Sequence, residues 1–255
     1  MSESEIYLLE WTFSPADYFE EAVEFSCDLC AIRVDNGKAE ARILPAKYPE
    51  DHSARNLLHA ELDARFMGAQ VLSHKPYSLS KPSVTRLHAD GRRDAWAFPE
   101  VGSVTISAAD ADFILMGEDG QVTRDTKKER IGARVRLSQL AAKYITDPVA
   151  DSVIRSYAAA VNDPRNELVH LYEVRDALSQ FFGGQAAACA ATGVSSTQWS
   201  RLGHLANDEP FTQGRHRGKQ LGSVRDASAP ELSEARKIAR AMVEGYLLHL
   251  TNKNP

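Results

Sequence analysis

The chain of 255 residues carries 30 lysines and arginines against 35 aspartates and glutamates, with 43% apolar and 25% charged residues; this excludes disordered, fibrous and membrane classes and fits one or two folded domains. No run reaches the roughly 18 consecutive apolar residues of a membrane span, and the chain starts with Glu3 and Glu5 rather than a basic-then-apolar leader, so a cytoplasmic protein with no membrane partner is expected. Three cysteines, Cys27, Cys30 and Cys189, are too few and too odd in number for a disulfide framework, which points to a reducing compartment.

From Ile6 to about Asp125 the apolar pattern has period two, broken by turn residues. Val23, Phe25, Cys27, Leu29 and Ala31 alternate on one face of a predicted strand, and Asp35-Asn36-Gly37 supplies the positive φ angles of a tight hairpin before Ala39 to Leu44 return. Further strands are expected at Ala69 to Leu79, Val84 to His88, Trp96 to Phe98, Val104 to Ile106 and Asp112 to Met116. One helix, between Asp51 and Gly68, carries Leu58, Leu62 and Phe66 as a stripe.

After Lys127 the period becomes helical. Helices are predicted through Ile131 to Tyr144 and Val149 to Val161, then from an Asp163-Pro164 start to Phe182, stopped by Gly183-Gly184. Others are expected at Gln185 to Ala191 and Ser196 to Ala206, and from Pro230 through Leu250. The fold class read from this is α+β, with a strand-rich domain over 1–126 and a helical bundle over 127–255. Charge divides likewise: residues 1–126 hold 12 basic and 22 acidic side chains, and residues 127–255 hold 18 and 13, which makes the helical half the candidate for polyanion contact.

The most specific string is Arg165-Asn166-Glu167-Leu168-Val169-His170-Leu171-Tyr172, placed in the first two turns of a helix. Asn166 and His170 are four apart and share a face, where the amide can orient the imidazole. A cation beside an oriented imidazole suits phosphodiester cleavage: Arg165 stabilises charge on the phosphoryl oxygens, and His170 exchanges a proton with the ribose hydroxyl or leaving oxygen, with no metal or cofactor required.

This string resembles the HEPN superfamily, small helical bundles that often act as metal-independent ribonucleases in toxin–antitoxin and antiphage systems. The resemblance covers these eight residues. It implies an endoribonuclease with Arg165 and His170 catalytic and Asn166 supporting. Tyr172, two residues after the histidine as in one toxin branch, is the implied site of adenylylation by an antitoxin. A homodimer acting on RNA, with a regulatory protein partner, is the corresponding expectation.

Two other features compete. Gly214-Arg215-His216-Arg217-Gly218-Lys219 is a basic, glycine-spaced loop suited to phosphate contact, with Arg215, His216, Arg217 and Lys219 as the nucleic-acid-binding candidates. A helix-turn-helix pattern runs from Cys189 through Gly193 and Ser195-Ser196 to Trp199 and Leu202. It would leave Thr197, Gln198 and Arg201 outward for a DNA groove, and so gives the alternative of a non-catalytic DNA-binding or protein-interaction protein. Cys27 and Cys30 form a C-x-x-C, but on one strand their side chains face opposite sides. Neither a phosphate-binding loop nor a serine-hydrolase elbow is present.

Overall fold

The computed structural model describes residues 5–49, 53–96, 114–116, 121–215 and 223–253. The architecture is α+β: an N-terminal antiparallel sheet followed by a helical C-terminal region. Two compact units divide the chain, Met1–Phe66 with Tyr77–Gln139, and Met67–Pro76 with Leu140–Pro255. Secondary structure changes from strand to helix at Asp125/Thr126.

The first unit is built on a seven-stranded sheet in the order β2-β3-β4-β1-β6-β7, with β5 pairing the end of β1. The strands are β1 (Ile6–Ser14), β2 (Val23–Ser26), β3 (Ala31–Asp35), β4 (Lys38–Ile43), β5 (Ser78–Leu79), β6 (Ser83–Leu87) and β7 (Arg93–Trp96). A separate ribbon pairs β8 (Ile114–Met116) with β9 (Val122–Asp125). Period-two alternation buries Leu9, Trp11 and Phe13 from β1, Ile32 and Val34 from β3, and Ala39, Ala41 and Ile43 from β4. Helix α1 (Ser53–Ser73) brings Phe66 onto that apolar layer, edge-on to Phe13 and Phe19 and stacked on Tyr18. The β3–β4 hairpin closes through Asn36 and Gly37 at φ 42° and 80°, as its sequence predicts. Arg134, buried on α2 (Thr126–Lys143), donates to the Tyr18 carbonyl and pairs with Glu20 at 2.8 Å.

Two sequence expectations are corrected here. The strand read through Val23 to Ala31 is two strands joined by a turn, in which the Cys27 N–H donates to the Cys30 carbonyl at 2.8 Å. Because Phe25 pairs with Ile32, odd positions of β2 share a face with even positions of β3, and Ala31 points outward where alternation along one strand put it inward. The strand expected over Ala69 to Leu79 is mostly helix: α1 continues through Gly68 to Ser73, with Ala69, Gln70 and Val71 all buried, a pattern with no solvent face to reveal its period. Only Ser78–Leu79 is strand there. The strand expected at Val104 to Ile106 lies outside the described residues.

In the second unit, α3 (Pro148–Asn162), α4 (Glu167–Phe182), α5 (Gln185–Thr192), α6 (Ser196–Asn207) and α7 (Ala229–Lys253) form the helical region. Both α4 and α7 pack against α5, α6 and α3, and against each other, burying Leu168, Leu171, Val174, Trp199, Ile238, Met242 and Tyr246. The aspartate–proline start belongs to α3, where Asp147 accepts from the Val149 and Ala150 N–H groups. The start expected at Asp163-Pro164 is instead a 3₁₀ turn over Pro164–Asn166, for which Asp163 provides no side-chain cap, and α4 begins at Glu167. Gly183 and Gly193 end α4 and α5 as expected, and Ser195 and Gln198 form a capping box on α6. No helix among the described residues is long and apolar enough to cross a membrane.

The closest approach in this unit is at Gly245 of α7, where an added Cβ would lie 2.1 Å from the Thr192 carbonyl oxygen. Gly245→Ala therefore should lower stability by roughly 1–3 kcal/mol, since the clash is with backbone and cannot be relieved by a rotamer change. Gly132→Ala, with open space around its Cβ on α2, should be neutral or stabilising by up to about 1 kcal/mol. Thermal melts of the two variants check the contrast.

Candidate functional site

Two features position the start of α4. The 3₁₀ turn over Pro164–Asn166 lifts Arg165 into solvent, and Glu167, the first residue of α4, is turned inward. Glu167 is 1% exposed and binds Arg236 of α7 bidentately, at 2.5 Å to Nε and 2.8 Å to Nη2. His74 approaches the same carboxylate at 3.5 Å and packs edge-on against Tyr157 of α3. Burial, reinforced by the Arg236 charge, lowers the His74 pKa to about 4. The nearby carboxylate does not reverse this, because Arg236 already neutralises it. Burial also pushes the Tyr157 hydroxyl upward.

On the outer side of this anchor lie the residues of the motif. His170, 22% exposed, sets Nδ1 3.1 Å from Glu173 and Nε2 3.6 Å from Asp163. Asn166 donates from Nδ2 to the same Asp163 carboxylate at 2.6 Å. Asp163 is thus the shared partner of the amide and the imidazole, and these contacts, the Asn166 bond foremost, hold its carboxyl below the usual range. Arg165 is exposed and its side chain makes no ion pair among the described residues. The arrangement offers a partly exposed imidazole held between two carboxylates and, five residues before it in the chain, an exposed guanidinium with no ion pair among the described residues.

Tyr172 lies elsewhere on α4. It is buried, its hydroxyl accepts from Arg175 at 2.6 Å, and its ring meets the guanidinium groups of Arg175 and Arg215 at 4.8 and 4.2 Å. Arg175 also stacks on Trp199, 5.3 Å from the ring centroid, and Arg215 approaches Asp176 at 3.4 Å. A group transferred to Tyr172 would have to enter this cationic sandwich. Of the loop candidates, Arg215 is thereby placed; His216, Arg217 and Lys219 lie outside the described residues.

Helices α5 and α6 meet through Gly193 in the order the helix-turn-helix reading requires, with Trp199 and Leu202 buried. Two of its three outward residues are otherwise occupied. Gln198 is held in the cap of α6, and Arg201 places Nε and Nη2 on Glu234 of α7 at 3.1 and 3.0 Å. Thr197, Gln198 and Arg201 line a cavity of about 520 Å³ with Pro230, Ser233, Glu234, Lys237 and Ile238.

Sequence reasoning missed Glu167, Arg236, His74 and Arg175. Glu167 stands inside the quoted string and Arg175 follows Tyr172 by one helical turn, so both were within reach of a spacing argument. Nothing local marks Arg236 or His74, since their significance is a contact across 69 and 93 residues with Glu167. The chain matches no protein-family model, no curated protein and no solved structure. The geometry and chemistry of the site therefore carry the functional reading.

The half-buried histidine has a measurable consequence. A base whose folded pKa is depressed contributes stability above its ordinary value, and loses it as pH falls toward the folded value. For His74 that window runs from 6.5 down to about 4. The loss should reach at most about 3 kcal/mol, and it should begin at a pH above that at which carboxylates protonate. Denaturant melts between pH 7 and 5 should show this decline in the wild type and a flatter profile in His74→Gln.

Proposed function

We propose that the helical unit is a HEPN-like, metal-independent endoribonuclease, of the kind used in toxin–antitoxin or antiphage systems. The observation that carries this reading is a partly exposed His170 held between Asp163 and Glu173, five residues after an exposed Arg165 that has no ion-pair partner among the described residues. In the reaction, the ribose 2′-hydroxyl attacks its own phosphodiester. His170 moves the proton at the attacking or leaving oxygen, and Arg165 offsets charge on the phosphoryl oxygens. Asp163 and Glu173 complement the positive charge the ring acquires as the proton passes, and Asn166 keeps Asp163 in place.

RNA is the substrate class this chemistry requires, because the attacking hydroxyl comes from the ribose. A site built on one helix start is open on its outer side, so a second copy of the chain is proposed to close it over RNA. The acidic sheet unit is assigned the role of regulator or protein-partner surface. The DNA-binding alternative is less well supported, because Gln198 and Arg201 are committed to contacts within the chain.

Purified protein should cleave RNA in excess EDTA. His170→Ala should reduce the rate by roughly 10²-fold or more while leaving the circular dichroism spectrum unchanged, and Arg165→Ala should come close to it. Asn166→Ala should be milder, since its effect passes through Asp163. Folded wild-type protein without cleavage activity, or His170→Ala that cleaves at the wild-type rate, would overturn the assignment.

A further inference from the structure

The C-x-x-C of the first unit is brought together by a turn that period-two patterning hides. Cys27 and Cys30 flank Asp28 and Leu29, and the Cys27 N–H donates to the Cys30 carbonyl at 2.8 Å, so the two are cross-strand neighbours at the end of the β2–β3 hairpin. Directly opposed residues of an antiparallel pair have Cα atoms about 4.5–5.5 Å apart and side chains on one face of the ribbon. That separation lies inside the roughly 4.4–6.8 Å range that a disulfide spans without backbone movement. Both thiols are half-buried and unpaired with one another.

Their surroundings contain an acid–base partner and a cation. Glu61 of α1 lies close enough to act on both sulfurs, and acts most directly on the Cys27 thiol. Arg65, one turn further along the same helix, bonds Glu61 at 3.3 Å, stacks on Phe25, and donates to the Ser26 carbonyl at 3.0 Å. Burial is the largest influence on both sulfurs and favours the thiol, and the Arg65 charge offsets part of it. Among the described residues no group of three or more His, Cys, Asp or Glu side chains is disposed to hold a metal ion. Thiol–disulfide chemistry is what this pair offers.

We infer that Cys27 and Cys30 form a redox-active dithiol that closes to an intramolecular disulfide by exchange with a small-molecule disulfide, with Glu61 as proton acceptor. The Cys30 thiolate attacks one sulfur of the small disulfide, forming a mixed disulfide and expelling the other half as a thiolate, which takes up a proton. Cys27 then passes its proton to Glu61, and its thiolate attacks the Cys30 Sγ. The Sγ–Sγ bond forms, the mixed disulfide breaks, and the second half leaves as thiolate. The protein dithiol is oxidised by two electrons, and the small disulfide is reduced to two thiols.

The order of attack follows from Glu61, which acts most directly on the Cys27 thiol and so is placed to take the proton of the second, resolving cysteine, while burial pushes both thiols up. Burial also makes exchange slow at neutral pH. Closure would staple the β2–β3 turn covalently in the place where Arg65 already ties Ser26 to α1.

Reduced full-length protein, treated with oxidised glutathione, quenched by alkylation and digested with trypsin without reduction, reads this directly. Both cysteines fall in the single peptide ending at Arg33. That peptide should lose the mass of two hydrogen atoms, while Cys189 remains alkylated or glutathionylated. Cys27→Ser should trap the glutathione adduct on Cys30. Glu61→Gln should slow closure roughly tenfold or more without changing its final extent. A persistent glutathione adduct in the wild type, or full alkylation of both thiols after prolonged oxidation, would overturn the dithiol assignment. Equal closure rates in the wild type and Glu61→Gln would remove Glu61 from the mechanism.

Discussion

The helical unit depends on one buried ion pair. Glu167 has almost no contact with water, so its charge is tolerable only because Arg236 meets both carboxylate oxygens. Because the Arg236 side chain is about a third exposed, removing one partner costs less than the about 3–5 kcal/mol of a fully buried pair, but more than a surface ion pair contributes. Geometry follows from this energetic demand. With Glu167 tied to α7, the preceding 3₁₀ turn must project outward, and His170, on another face of α4, is left at the surface between Asp163 and Glu173. His74 stays neutral beside the pair for the same reason, since a second buried cation would find no uncommitted anion.

The arginines of this unit show why net charge is a poor guide to polyanion contact. The helical half has more cations than anions, yet Arg201 lies on Glu234, Arg225 on Glu231, Arg215 near Asp176 and Arg236 on Glu167. Arg175 is consumed in stacking against Tyr172 and Trp199. Each pairing removes a charge that a count by sequence would offer to phosphate. Arg165 differs because the turn that carries it leads away from the packed helices.

The sheet unit uses its arginines differently. Arg65 and Arg134 are buried, and both donate to backbone carbonyls, at Ser26 and Tyr18. A guanidinium has donors enough to satisfy a carboxylate and a carbonyl together. Such residues fasten irregular backbone to the helices behind it, and that includes the turn bearing the two cysteines.

Local physics was legible in the sequence. The Asn36-Gly37 hairpin, the helical period after Lys127, the glycine stops at Gly183 and Gly193, and the cap at Ser195 each depend on residues within a few positions of one another. The motif residues Arg165, Asn166 and His170 were singled out by their spacing alone, which falls across a 3₁₀ turn and the first turn of α4. Pairing between segments was not legible. Alternation through Val23 to Ala31 is the same for one strand as for two joined by a turn, and only the pairing of Phe25 with Ile32 decides the faces. The end of α1 was hidden because Ala69, Gln70 and Val71 are covered on every side, which erases the periodicity that exposure imposes. The partner of Glu167 was beyond reach for a related reason: the stabilisation of a buried carboxylate depends on which cation the fold brings to it, and Arg236 arrives from a helix 69 residues away.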